Sequence, residues 1–430
     1  MTNTLNLNNN DYIYLCDYNQ LINSNIEELF IQHRGNANII TQEVPINEEI
    51  LKNRIKKLPQ LIFEVSANCN LRCKYCIYNN NYLNQRELTP LNMSFETAKK
   101  GMDYLYSIIK DRKDKSLSLS FYGGEPMLNF KLIQDIFEYG KILFVGWNLF
   151  YNMTSNLTLL NDSILEFIVK NNIAVMVSLD GDKENHNSKR VFINGNGTFD
   201  TVIKNLEKIK TYNEDYFKRK ISFSTVFSFD LSLQKLSHFF NTYELIKSMR
   251  MRFSAVSTFD TTYYDVYPFK KDEFQMDFKE VFLQIKEKIL KQEELSGFEA
   301  SVFNSFKQIG DALNGRAYNT LGGSCLFDSR LYIDAEGRFH ACEKINNKFP
   351  FGNVETGFDY DKMITIINDY IRTVKEVCSN CNLKFLCTKC FASFCGDGEF
   401  KINPDFCKSQ RQMIVSNLES YIKCKEEKIV

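Results

Sequence analysis

The sequence predicts an α/β protein: a partial (β/α)6 barrel followed by a small cysteine-rich C-terminal domain. Three observations support that class. Six strand-like runs alternate with helical stretches between residues 61 and 256, a distinctive loop follows each of the first two runs, and eight of the 13 cysteines crowd into residues 325–407. Strands alternating with helices favour right-handed βαβ units and a parallel sheet. In closed barrels of this type functional groups gather at the C-terminal ends of the strands, and an open one should do the same.

The strand runs are LIFEVSA (61–67), SLSLSFY (116–122), WNLFYNM (147–153), IAVMVSL (173–179), ISFSTVFSF (221–229) and RMRFSAV (250–256). Helices are expected at Ser94–Lys110, with Ser94 as N-cap, near Asn129–Tyr139, and at about 160–171, 200–211 and 232–248. The first strand runs into a cysteine loop and the second ends at Gly123-Gly124, so both motifs belong on one rim. Residues 271–314 read as helical. After them come hairpin-like pieces such as RLYIDAEGRFHAC (330–342) and a closing helix at about 408–427. Ahead of the barrel, DYIYLCDY (11–18) reads as a strand and Asn47–Lys57 as a helix ended by Pro59. The expected division is an N-terminal extension (1–58), the barrel (59–260), a helical bridge (261–320) and the cysteine-rich domain (321–430), with the last boundary at the Gly322-Gly323 turn.

Fifty-three basic residues balance 53 acidic ones, so no global field points to nucleic acid or an anionic membrane. The polar start, MTNTLNLNNNDY, has no apolar signal core, and no run of about 18 apolar residues is present. The expectation is a cytoplasmic chain with neither a membrane nor a nucleic-acid partner. In that compartment clustered cysteines read as metal sites rather than disulfides. Cys16 and Cys424 stand apart and suit free thiols.

Cys69-x3-Cys73-x2-Cys76 places three thiols in one loop directly after a strand. A [4Fe–4S] cluster is normally held by four thiolates, so three leave one iron open to a chelating small molecule. A structural zinc would need a fourth ligand, and no His or further Cys lies nearby.

The loop CNLRCKYC (69–76), with Tyr75 before its last cysteine, and Gly123-Gly124-Glu125-Pro126 one strand later together resemble the radical S-adenosylmethionine (SAM) superfamily. That resemblance implies that Cys69, Cys73 and Cys76 hold the catalytic cluster, that Tyr75 packs on the SAM adenine, and that Gly123, Gly124, Glu125 and Pro126 bind its amino group. The chemistry is reasonable: glycines admit close backbone approach and Glu125 offers an anionic acceptor to an ammonium. SLDG (178–181), His186 and RVFINGNGTFD (190–200) also match. By resemblance Ser178 contacts the SAM ribose and Arg190 lies near its carboxylate; a strand-end cap and an exposed loop arginine are the plainer readings. Two departures stand out. MTSNLTLL (153–160) replaces the family's TTNGTLL, so no ligand role carries over to Asn156, and Asp182 stands where relatives often have proline.

The second set is Cys325, Gly337-x4-Cys342, Cys378-x2-Cys381-x5-Cys387-x2-Cys390, Cys395 and Cys407. Two close pairs alone would suit a zinc ribbon. Eight cysteines resemble instead the SPASM extension of radical SAM peptide-modifying enzymes, which carries two auxiliary [4Fe–4S] clusters. Carried over, Cys378, Cys381, Cys387 and Cys407 hold the outer cluster. Cys325 and Cys342 hold the inner one with Cys390, and Cys395 either completes it or leaves an open iron. Cys387-x2-Cys390 is one residue shorter than the usual pattern.

The resemblance therefore implies SAM and three [4Fe–4S] clusters as cofactors. It also implies a ribosomally made precursor peptide as substrate, a thioether or carbon crosslink as product, and an electron donor such as flavodoxin or ferredoxin. An anaerobic sulfatase-maturating enzyme is the alternative within the superfamily. A non-catalytic zinc or iron–sulfur redox sensor is the alternative outside it. Residues 1–58 are unmatched and read either as a packing cap or as a module that captures a leader peptide at a sheet edge.

Overall fold

A computed structural model describes residues 4–7, 12–15, 20–23, 28–31 and 46–427, apart from residues 80, 83–84, 258–260, 314–326, 328, 385 and 388–389. Cys16, Cys325 and the Gly322-Gly323 turn lie outside the described residues.

The N-terminal strands β1 (Thr4–Leu7), β2 (Tyr12–Leu15), β3 (Gln20–Asn23) and β4 (Glu28–Ile31) form an antiparallel meander in sequence order. Leu7 is buried against Ile309, Leu313, Leu383 and Leu418, so this piece packs on the C-terminal part of the chain. A helix over Glu48–Ile55 follows, capped by the Asn47 side chain, which accepts from the Ile50 amide.

The barrel strands are β5 (Gln60–Ser66), β6 (Ser116–Gly123), β7 (Asn148–Ser155), β8 (Ala174–Ser178), β9 (Ile221–Phe227) and β10 (Met251–Ala255). All six run parallel and lie in sequence order. Their period-two patterning explains the layering. Leu61, Phe63, Val65, Leu119, Phe121, Met153, Val175, Val177 and Phe223 point outward into one core with the surrounding helices. Most alternate residues are polar, Ile62, Met176 and Val226 excepted: the Gln60 amide donates to Ser120 Oγ at 2.7 Å and the Asn152 amide to Ser118 Oγ at 2.8 Å. A parallel sheet covered by helices on both faces would be apolar throughout. Here one face borders a polar lumen.

The sheet does not stop at six strands. β11 (Leu331–Ile333) runs parallel to β5, with Leu331, Tyr332 and Ile333 opposite Leu61, Ile62 and Phe63, and β12 (Phe339–His340) turns back on it. The expected hairpin is present, but it extends the barrel. Leu331, Tyr332 and Ile333 are all buried, which suits a strand covered on both faces.

Among the helices, Phe95–Ile109 begins as expected, with Ser94 Oγ accepting from the Thr97 amide at 3.0 Å. Helices at Lys183–Lys189 and Glu214–Lys220 are short; the first is wholly polar and the second buries only Tyr216 and Phe217, so neither carries the long apolar stripe that sequence patterning detects. The run expected to 248 ends at Thr242. The bridge is two helices, Lys271–Leu290 and Gly297–Leu313. Beyond the hairpin come a two-stranded ladder, β13 (Gly352–Asn353) and β14 (Gly357–Phe358), an unanticipated helix over Tyr360–Cys378, and the closing helix Pro404–Glu426. Among the described residues no helix is long and apolar enough to cross a membrane.

Candidate active site

The two expected loops meet at the C-terminal ends of β5 and β6. Gly124 N–H donates to Ser66 O and Glu125 N–H to Asn68 O, each at 2.9 Å, so the Gly-Gly turn lies directly on the start of the cysteine loop. Gly123 has φ +135°, and a Cβ on Gly124 would stand 2.3 Å from Asn68 O. Only glycine allows this approach.

The cysteine loop is held from the other side by residues 189–191. Arg72 N–H donates to Val191 O at 2.8 Å and Lys74 N–H to Lys189 O at 2.9 Å. That contact delivers Arg190: its Nη1 lies 3.8 Å from Cys73 Sγ, and its Nε donates to Asp180 Oδ2 at 2.7 Å. Asp180 is the hub. It also accepts from the Tyr75 hydroxyl and, on Oδ1, from Val226 N–H at 2.9 Å. Its own amide donates to His186 Nδ1, and His186 Nε2 meets Thr198 Oγ1 at 2.9 Å. The Tyr75 ring packs with Val256 and Tyr263. Ser178 ends β8 opposite Ser224.

Glu125 is fully buried. Its carboxylate accepts from Ser155 Oγ and Asn156 N–H, both at 2.7 Å, and from Met127 N–H at 3.1 Å. Asn156 thus has a positioning role. Its side-chain amide also donates to Asn70 Oδ1 at 2.9 Å and lies 3.9 Å from Cys69 Sγ. Neither Asn156 nor Asp180 could be given a role from spacing, because each acts through a neighbour far away in sequence. The only hint of Asp180 was its place in SLDG.

Burial pushes the Glu125 carboxyl up to about 7, while its hydrogen bonds from Asn156, Ser155 and Met127 pull it back down. In SAM-free protein the native state therefore holds this proton more tightly than the unfolded chain, whose ordinary value is 4.5. The resulting stabilisation is full below about pH 4.5 and is lost as pH rises through about 7, by about 3 kcal/mol in total. Denaturant midpoints of the SAM-free chain should fall across that window, and Glu125→Gln should remove this component. Identical pH profiles for the two proteins would contradict the assignment.

The three thiols suit a metal cluster on electrostatic grounds. Burial pushes Cys69 and Cys73 up to about 12 and raises Cys76, with Arg190 offsetting part of the effect at each. Three half-buried thiolates with one arginine need further positive charge, which coordinated iron would supply in place of the thiol protons. Among the described residues, no three His, Cys, Asp or Glu side chains converge tightly enough to hold a single metal ion.

In the C-terminal region Cys395 has Cys342 and Cys390 as electrostatic neighbours, and Cys407 has Cys381. Tyr370 lies within electrostatic reach of Cys378, Cys387, Cys390 and Cys395. A cavity of 570 Å³ lies beside this region. Ile77 and Tyr82, just past Cys76, form one wall and Cys390, Cys395 and Phe394 the other.

Residues 63–227 match the radical SAM superfamily. The chain contains a radical SAM domain. It is 31% identical over 167 residues to a cysteine-type anaerobic sulfatase-maturating enzyme of Clostridium novyi, covering 38% of this chain and 43% of that protein. It is 29% identical over 230 residues to the radical SAM cyclopropyl synthase TigE of Paramaledivibacter caminithermalis, covering 51% and 46%. The chain thus spans less than half the length of these two curated relatives. Its fold matches that of native anSMEcpe with bound AdoMet and Cp18Cys peptide at a TM-score of 0.64 and 19% identity, over 86% of this chain and 99% of that one. SAM and a [4Fe–4S] cluster are the cofactors typical of this family, and the thiol loop and the Glu125 turn fit them.

Proposed function

We propose that this chain is a radical SAM maturase that installs a thioether or carbon crosslink in a ribosomally made precursor peptide. The observation that carries the reading is the 570 Å³ cavity between the residues just past Cys76 and the second cysteine set. It gives a peptide segment a place between two sites of cysteine chemistry. A fold neighbour that holds both SAM and a peptide supports it.

A [4Fe–4S] cluster with SAM would supply the radical chemistry that removes a hydrogen atom from the substrate. Cys69, Cys73 and Cys76 hold that cluster. Gly123 to Pro126 present Glu125 to the SAM amino group, with Ser155 and Asn156 fixing the carboxylate. Ser178 takes the ribose and Tyr75 the adenine. Arg190, anchored on Asp180, holds positive charge beside Cys73 and at the SAM carboxylate. The barrel walls keep water and stray hydrogen donors away. Cys378, Cys381, Cys387 and Cys407 form the outer auxiliary site. Cys325, Cys342 and Cys390 form the inner one, which Cys395 either completes or leaves with an open iron. A ferredoxin- or flavodoxin-type protein supplies electrons. The division at 58, 260 and 320 belongs to this reading, as does capture of a leader peptide at an edge of the β1–β4 meander.

Similarity to a sulfatase-maturating enzyme favours a second reading, oxidation of a Cys or Ser in a sulfatase. Anaerobic turnover of the reconstituted chain with SAM, a reductant and candidate peptides separates the two. A crosslinked product loses two hydrogens and gains no aldehyde, whereas a formylglycine product reacts with carbonyl reagents. A chain that binds metal yet forms no 5′-deoxyadenosine with any peptide would instead be a sensor.

A further inference from the structure

Arg252 lies on β10 at the edge of the sheet. The register sets it level with Ser224 of β9 and Ser178 of β8, on the same face. Phe253, the next residue, turns the other way and meets Phe298 edge-on at 5.6 Å, so Arg252 points into the lumen. The strand residues around it on that face carry no charge: Ser222, Ser224, Ser254 and Asn152, with Met176 and Val226 among them. Glu64, the other charged residue on β5–β10, pairs with Arg86 at 3.5 Å. Glu343 of the C-terminal hairpin pairs with Arg330 at 3.2 Å. Among the described residues of β5–β10, Arg252 is the one charged side chain without an ion-pair partner, and it is exposed to the lumen. Tyr122 of β6 is half-buried and lies within electrostatic reach of Arg252, Glu343, Cys76 and Cys342. Arg252, Cys76 and Cys342 thus share Tyr122 as a neighbour.

An unpaired cation in a walled, polar space attracts an anion, and the planar guanidinium fork matches a carboxylate in two parallel hydrogen bonds. Arg190, on the far side of Ser178, already stands at the SAM end. We infer that Arg252 anchors a carboxylate of the peptide substrate, either an Asp or Glu side chain or the C-terminal carboxylate, and so selects which peptide position is presented beside the cysteine loop. The inference rests on the peptide reading above.

The test uses the full chain, cluster-loaded and saturated with SAM under anaerobic conditions, and three labelled dodecapeptides of one parent sequence. The first has a central Asp and an amidated end, the second a central Asn and an amidated end, and the third a central Asn and a free C-terminus. At least one carboxylate peptide should bind about fivefold more tightly than the neutral one. Arg252→Gln should erase that difference and Arg252→Lys should retain part of it. A purely structural role would weaken all three peptides alike. Equal binding of the three by the wild-type chain overturns the anchor and leaves the peptide reading intact. So does a preference that survives in Arg252→Gln while SAM affinity drops. A chain that binds none of the three overturns the anchor and counts against the peptide reading as well.

Discussion

Cys69→Ala should bring reductive SAM cleavage down to the background rate while leaving the fold in place. Three thiols are the fewest that can hold a [4Fe–4S] cluster with one iron open, and removing one leaves two ligands in the loop. Cys69 is also where the two loops touch. Leu71 N–H lies 3.4 Å from its sulfur, the Asn156 amide 3.9 Å, and the Gly124 turn packs against it. Its side chain lies outside the apolar core, so the stability cost should stay within about 2 kcal/mol, the usual range for a single substitution. The measurement is 5′-deoxyadenosine formed per chain under anaerobic reduction, alongside the melting curve. Wild-type cleavage by a folded Cys69→Ala protein would remove the basis for the cluster assignment.

Gly124→Ala should be nearly as damaging, and for a reason visible only in three dimensions. The added methyl would sit 2.3 Å from Asn68 O, 2.6 Å from Asn68 C and 3.0 Å from Cys69 Cβ, all in backbone or the root of a side chain that cannot swing aside. Relief requires the Gly-Gly turn and the cysteine loop to separate. That breaks the hydrogen bonds that the Gly124 and Glu125 N–H groups donate to Ser66 O and Asn68 O and shifts Glu125 away from its ligand. Forcing a methyl into packed surroundings costs about 1–3 kcal/mol, and the displaced carboxylate adds the loss of a charged hydrogen bond. SAM affinity should fall by about a hundredfold. Gly146→Ala is the matched control. Its φ is +80° and nothing lies within 4 Å, so it carries only the left-handed backbone cost of about 1–2 kcal/mol and should leave SAM binding intact. Equal SAM affinity in the two variants would contradict the close approach of the loops.

The middle barrel strands were legible because burial alternates along them, as in Ile221–Phe227, where every second residue is buried, whereas β5 stood out as a short, mostly apolar run. The Ser94 cap and the shared rim of the two loops were also readable, since both follow from local chemistry and βα order. β11 was visible as a strand but not as part of the barrel sheet, because its pairing with Leu61–Phe63 spans some 270 residues and leaves no local mark. The helix over Lys183–Lys189 was missed because its residues are almost all polar. Asp180 and Asn156 were missed for a further reason. Their partners, Tyr75 and Arg190 in one case and Glu125 and Asn70 in the other, are assembled only when separate strand ends come together.

The claim beneath all of this is that the 69–76 loop holds iron with one corner left for SAM. Hyperfine spectroscopy of the reduced, cluster-loaded chain tests it most directly, using SAM labelled at the amino nitrogen. The predicted result is a coupling between that nitrogen and the cluster spin in the wild-type protein, absent in Cys69→Ala. A reduced cluster on Cys69, Cys73 and Cys76 that shows no coupling to SAM, or whose fourth iron is bound by a side chain, would contradict it.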